Sequence, residues 1–153
     1  MSSYVLAVDE YGECFVWGAG VGPGIGSASG EGAGVHRAAS AAKGVLGPVL
    51  LDVLPPHVRV REVACGLGHT LLLSFAGQCF SWGNGGNGRL GLGDVQDRTA
   101  ASALSAFCCE GDAVKSVQCG ASHSMALTAA GLLYCWGKVL LIQSKSAAPS
   151  KNI

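Results

Sequence analysis

A chain of 153 residues suits one domain, and with 49% apolar residues against 13% charged it has the material for a core, which excludes general disorder. Ten basic residues balance ten acidic ones, so a general footprint for nucleic acid or a membrane surface is excluded as well. Glycine, at 24 residues and without a collagen period, points to many tight turns and few long helices.

The opening stretch MSSYVLAVDEYGE carries acids where a signal peptide needs an unbroken apolar run. Tyr4 to Trp17 reads as an apolar run, a turn at Gly12 and a returning run. The Gly/Ala/Ser-rich region at about 19–57 follows and reads as a flexible surface insertion. Within it Arg37 to Lys43 is long enough for only a turn of helix, which is marginal in water. Val60 to Cys65 is apolar again and ends at Gly66; His69 opens the next run, Ala76-Gly77 turns the chain, and Gln78 to Trp82 runs back. A glycine-dense coil spans Gly83 to Gly93, and Arg98 to Phe107 is ambiguous between a short helix and an outer strand. Val114 to Gly120 and His123 to Trp136 then repeat what Val60 to Gly66 and His69 to Trp82 laid down. After Gly137 the pattern stops; residues 138–153 form a non-repeat tail whose last ten residues are polar and expected to fray.

Tyr4–Trp17, His69–Trp82 and His123–Trp136 align without gaps. Gly12, Gly77 and Gly131 fall together, as do Phe15, Phe80 and Tyr134, and Trp17, Trp82 and Trp136. On the incoming run Leu6, Leu71 and Met125 form one column, and Val8, Leu73 and Leu127 another two residues on, the period of a strand with one buried face. Each unit is a β-meander, and a single meander must stack on neighbours to bury both faces.

Several residues invite a chemical reading. His69 and His123 follow Cys65 and Cys119 by four residues, a set that tetrahedral zinc accepts. Both positions recur with the repeat, which favours a structural imidazole bonded to backbone at a strand entry. Gly83-Asn84-Gly85-Gly86-Asn87-Gly88 satisfies G-x-G-x-x-G, yet Arg89-Leu90-Gly91-Leu92-Gly93 makes a poor helix start and no acid stands in the required place. Seven cysteines without a C-x-x-C suggest free thiols in a reducing compartment. Cys14 and Cys79 share one column and Cys65 and Cys119 another, as packing residues do, whereas Cys108-Cys109 lies outside the columns. His36 and His57 complete the histidines, and no Ser or Cys stands in an evident catalytic pair with any of them. Arg37, Arg59, Arg61, Arg89 and Arg98 are scattered charges whose default is a solvated surface. The aliphatic run Val139 to Ile142 is far too short for a membrane span. No catalytic, metal or cofactor site and no partner-binding residue is assigned from these patterns.

The combination V-x-x-V-x-C-G-x-x-H-[ST]-x-x-L-[ST]-x-x-G-x-x-x-x-W-G, followed by N-G-R-L-G-L-G-D, resembles the repeat of the regulator of chromosome condensation family. The unit around His69 matches throughout, the unit around His123 up to Gly137, and the first unit in its second half, with Tyr4 in place of the histidine. The resemblance implies an all-β fold, a partial β-propeller of four-stranded antiparallel blades forming an incomplete ring. About seven repeats close such a ring, and two and a half are present in residues 1–137. It also implies an intracellular protein-protein interaction module of cytoplasm or nucleus, expected to be a piece of a larger protein and marginally stable alone. Its partner would be a protein such as a small GTPase or a ubiquitin-pathway component, without direct nucleic acid, membrane or cofactor. The alternative is guanine nucleotide exchange on a small GTPase of the Ran type, although none of that activity's contact residues maps here. Chromatin binding is weakened because Lys138, Lys145 and Lys151 are too sparse for a basic tail.

Overall fold

The computed structural model describes residues 3–19, 45–51, 54–55, 57–107, 113–138 and 150–152. They form three sheets side by side. Blade one contains β1 (Ser3–Val8), β2 (Cys14–Ala19) and β3 (Val45–Leu50), in the order β1-β2-β3. Blade two contains β4 (Val60–Cys65), β5 (His69–Ser74), β6 (Cys79–Gly83) and β7 (Arg98–Ala103), again in chain order. Blade three contains β8 (Val114–Cys119), β9 (His123–Thr128), β10 (Leu133–Gly137) and β11 (Ser150–Asn152). All pairings are antiparallel except β10 with β11.

The repeated turns have one chemistry. The amides of Gly12, Gly77 and Gly131 donate to the carbonyls of Asp9, Ser74 and Thr128 at 3.1, 3.0 and 3.0 Å. The side chains of the same three residues accept the amides of Glu13, Gln78 and Leu132 at 2.8, 3.0 and 3.2 Å. A short polar side chain five residues before the returning strand therefore closes each hairpin. The glycines are fixed by φ values of 78°, 78° and 83°, which residues with a Cβ rarely adopt.

The core lies between blades rather than within them. Cys14, Val16 and Leu51 of blade one meet Val60, Leu72, Phe80 and Trp82 of blade two. Leu71, Leu73, Cys79 and Leu104 of blade two meet Val114, Val117, Ala126, Tyr134 and Trp136 of blade three. Phe107 stands edge-on to Tyr134, with ring centroids 5.1 Å apart. Blade two is covered on both sides, so β5 is buried at all six positions. In β9 burial alternates instead: Ser124, Ala126 and Thr128 face blade two, while Met125 and Leu127 are only half-buried. This corrects the expectation of one buried face per strand in the shared columns. Burial depends on how many neighbours a blade has, which the alternation of a single strand does not encode.

Two stretches depart from expectation. Val45–Leu50 lies inside the region taken as an insertion but pairs along β2, with Phe15 opposite Leu50 and Val16 opposite Val49. The edge of β2 offers unpaired backbone groups, an apolar segment satisfies them, and Pro48 is tolerated on an outer strand. Ser150–Asn152 was expected to fray and pairs with Leu133–Cys135 instead, on the edge of β10 that β7 covers in blade two. Arg98–Phe107 resolves into the outer strand β7 and a 3₁₀ turn at Ser105–Phe107. The helical turn expected over Arg37 to Lys43 lies outside the described residues.

Gly83, after Trp82, has φ 107°, and a Cβ there would fall 2.8 Å from the Cα of His69. Gly137, after Trp136, has φ 92°, and its Cβ would fall 2.7 Å from the carbonyl oxygen of Ser122. The Trp-Gly step thus lets one loop lie against the strand end of the same blade. Gly83→Ala is expected to cost about 2 kcal/mol, measured as a fall in the urea midpoint. Gly93→Ala, where φ is 81° but nothing lies within 4 Å, should cost about half of that, the conformational part alone.

Candidate functional site

The most highly organised polar cluster bridges blades two and three at the end where the loops after β4, β6 and β8 gather. Arg89 follows a one-turn 3₁₀ segment at Gly86–Gly88 and is 9% exposed. Its Nε donates to the Gly86 carbonyl at 2.8 Å, and its Nη1 to the carbonyls of Leu67 at 2.8 Å and Ala121 at 3.4 Å. One guanidinium thereby ties together three loops from two blades. The Arg89 carbonyl in turn accepts Ser124 Oγ at 2.8 Å and Trp136 Nε1 at 2.9 Å. Ser124 spends its one proton on that carbonyl, so the contact between His69 Nε2 and Ser124 Oγ, 3.0 Å, has the imidazole as donor. The chain of donors runs from His69 through Ser124 to Arg89, with Trp136 joining at the end.

The motif C-G-x-x-H finds its physical reason here. A Cβ at Gly66 would lie well within 3.0 Å of the His69 ring, and one at Gly120 equally close to the His123 ring. Each imidazole folds back over its glycine. His69 is fully buried, and its Nδ1 has no hydrogen-bond partner. Burial, and then the positive charge of Arg89, pull its pKa down from 6.5 to about 4. His123 is half-buried, since no blade lies beyond blade three among the described residues.

These contacts decide the sequence-level candidates. The ring of His69 meets Ser124 of the next blade, in addition to the backbone of His123 and Leu67 that acts on it. Among the described residues no group of three His, Cys, Asp or Glu side chains has metal-binding geometry. The G-x-G-x-x-G amides are already engaged: Gly85 N–H donates to Asp97 Oδ1 at 2.8 Å, Gly86 N–H to Asn84 Oδ1 at 3.0 Å, and Gly88 N–H to the Gly85 carbonyl at 2.9 Å. A pyrophosphate would find no free cradle there. Burial pushes the thiols of Cys14, Cys79 and Cys119 up to about 12 and raises those of Cys65 and Cys135 as well. The thiols of Cys14, Cys79 and Cys119 therefore stay protonated near neutral pH and are poor nucleophiles. Cys108, Cys109, His36 and Arg37 lie outside the described residues, and His57 is exposed.

Of the remaining arginines, Arg59 pairs with Glu13 at 3.5 Å, Arg98 with Asp94 at 2.6 Å, and Arg61 donates to the Lys115 carbonyl. Arg89 is the one that the default of a solvated surface misplaced. Its signal was present in N-G-R-L-G-L-G-D, where glycines surround a lone cation, and the role of Ser124 was present in the hydroxyl that follows each histidine. Among the described residues no helix is long and apolar enough to cross a membrane.

Two models of the regulator of chromosome condensation (RCC1) repeat match this chain, one over residues 60–89 and the other over residues 76–127. Residues 60–127 carry RCC1 repeats. It is 42% identical over 80 residues to the ultraviolet-B receptor UVR8 of Arabidopsis thaliana, which covers 52% of this chain and 18% of that protein. The crystal structure of human WBSCR16 superimposes with a TM-score of 0.66 at 28% identity, covering 88% of this chain and 32% of that one. Prp20p of Saccharomyces cerevisiae does so with a TM-score of 0.60 at 25% identity, covering 88% and 31%. The RCC1 repeats here thus span less than a fifth of that curated relative and about a third of each solved chain. The three blades match part of the propeller fold of these solved chains.

Proposed function

We propose that this chain is a protein-interaction module whose partner docks on the loop face closed by Arg89. The observation that carries this reading is the exposure of Leu67, 66%, and Val95, 62%, on loops that part-buried hydrogen bonds hold in place. Large apolar side chains presented on rigid loops are what a binding surface offers. The partner is a protein of the small-GTPase or ubiquitin-pathway type, met inside the cell in cytoplasm or nucleus. The chain performs no chemistry of its own and needs no cofactor. Titration against a panel of small GTPases tests this. A binding partner should lose at least about tenfold in affinity to the double variant Leu67→Asp, Val95→Asp, with the urea midpoint unchanged. Equal affinity of that variant would sink the assignment of the loop face.

A second reading, guanine nucleotide exchange, is favoured by one observation: the solved Prp20p structure is described with its binding to Gsp1p and histones. Release of labelled guanine nucleotide from each GTPase separates the two. Acceleration at stoichiometric protein supports exchange; an unchanged rate beside measurable binding leaves docking alone.

A further inference from the structure

The seam between blades one and two and the seam between blades two and three share one wall but differ in what fills them. The amides of Leu51 and Leu104 donate to the carbonyls of Cys14 and Cys79 at 2.7 and 2.9 Å. Those of Val60 and Val114 donate to the carbonyls of Gly12 and Gly77 at 2.9 and 3.2 Å. Leu51 therefore corresponds to Leu104, and at the same offset Leu54 corresponds to Phe107. Phe107 is buried, with its ring edge-on to Tyr134. Leu54 is only half-buried, and beside it lies a cavity of about 150 Å³. Cys14 and Leu51 lie deep in it, Leu54 and Val58 continue the apolar wall, and the exposed Leu50 and Pro55 stand at its mouth. An apolar cavity of about this volume holds a benzene-sized group.

The surroundings of the mouth are aromatic and acidic. Tyr11 and Phe75, on the turns of blades one and two, are 69% and 60% exposed. Tyr11 directly precedes Gly12 on the cavity border, and the Phe75 amide donates to the carbonyl of Arg59, another border residue, at 3.0 Å. Exposed aromatic side chains beside an apolar cavity are what anchors a partner chain. The carboxylates of Asp9, Glu10 and Glu13 outweigh the one guanidinium of Arg59, which meets Glu13 at 3.5 Å in an exposed pair that costs little to open. Asp9 is fixed on its turn by the amides of Tyr11 and Glu13. Burial first, and then the charge of Asp9, hold the Cys14 thiol up, so the negative field of this turn reaches the cavity wall.

We infer that this cavity and its rim are a docking site for a partner protein segment that presents a phenylalanine followed by a lysine or arginine. The phenyl group enters beside Leu54, at the position where the next seam carries the ring of Phe107. The cation lies against the carboxylates of Asp9 and Glu13, and Tyr11 and Phe75 flank the segment. The ring supplies most of the affinity, and the charge sets the preference among partners. The site lies at the end of the sheets opposite to the loops that Arg89 ties, so its failure would leave the loop-face reading standing.

The probe is the peptide acetyl-Ala-Phe-Lys-Ala-amide, titrated into the full chain and followed by backbone amide chemical shifts. A dissociation constant of about 1 mM or tighter is expected, with the shifts centred on Cys14, Leu51 and Arg59. Alanine in place of the phenylalanine should weaken binding at least about tenfold. Glutamate in place of the lysine should weaken it about fivefold. Leu54→Phe places a ring of the chain's own beside the cavity, as Phe107 does in the next seam, and should abolish binding with the urea midpoint no lower than that of the parent. Glu13→Lys, on the exposed rim, leaves the cavity walls intact and should erase the preference for the lysine peptide over the glutamate one. Absence of shifts at the cavity, or equal binding of the alanine peptide, overturns the proposal. Undiminished binding by a folded Leu54→Phe chain, or an unchanged charge preference in Glu13→Lys, does so too.

Discussion

Replacing Arg89 by methionine is expected to lower the stability of the chain by about 4 kcal/mol. Methionine keeps the length and the backbone, so the Arg89 carbonyl still receives Ser124 Oγ and Trp136 Nε1. What disappears is the guanidinium that satisfies the carbonyls of Gly86, Leu67 and Ala121. The Ala121 carbonyl keeps the Leu67 amide at 3.2 Å, while the part-buried carbonyls of Gly86 and Leu67 lose their guanidinium partner, at roughly 1–3 kcal/mol each. Arg89→Lys should recover little, because a single ammonium cannot span three carbonyls in the plane of a fork. The measurement is equilibrium urea unfolding of the three proteins. The predicted signature is a lower midpoint for both variants, with lysine closer to methionine than to arginine. An Arg89→Met midpoint within error of the parent would mean that apolar contact alone holds blades two and three together.

The repeat columns made much of this legible in advance. Gly77, Trp82 and Phe80 kept their partners Gly131, Trp136 and Tyr134 in equivalent strands, because turn geometry and large buried rings are local demands written at fixed offsets. What the columns concealed was the seam. Ser124 is a seam residue only because blade two lies beside it, and its counterpart in blade one is Val5, half exposed at 50%. Arg89 reads as one more scattered cation until the carbonyls of Leu67 and Ala121, 22 and 32 residues away, are placed around it. Contacts of that separation follow from stacking, and stacking geometry is not a property of one repeat. The outer strand Val45–Leu50 was hidden for a related reason: a glycine- and alanine-rich composition masked an apolar segment whose pairing is dictated by the free edge of β2.

Acid should loosen the same seam before it protonates most carboxylates. The His69 pKa lies at about 4 in the folded chain against 6.5 ordinarily, through burial first and the Arg89 charge second. The unfolded chain therefore takes up a proton as pH falls through 6.5, while the folded chain refuses it until about 4. Stability is fully present above the higher value, is lost between the two, and is flat below the lower, with a total loss of up to roughly 3 kcal/mol. The charges of Arg89 and His123 disfavour the cation, while backbone hydrogen bonds to His123 and Leu67 favour it and only partly offset the burial. Unfolding free energies from urea titrations near pH 7 and pH 5 should thus differ by about 2 kcal/mol in the parent chain. His69→Gln keeps a donor toward Ser124 Oγ and cannot titrate, so its stability should be lower near pH 7 yet nearly level across that interval. A parent whose midpoint is level between the two pH values, or a glutamine variant that falls as steeply, would show that the seam does not sense the proton through His69.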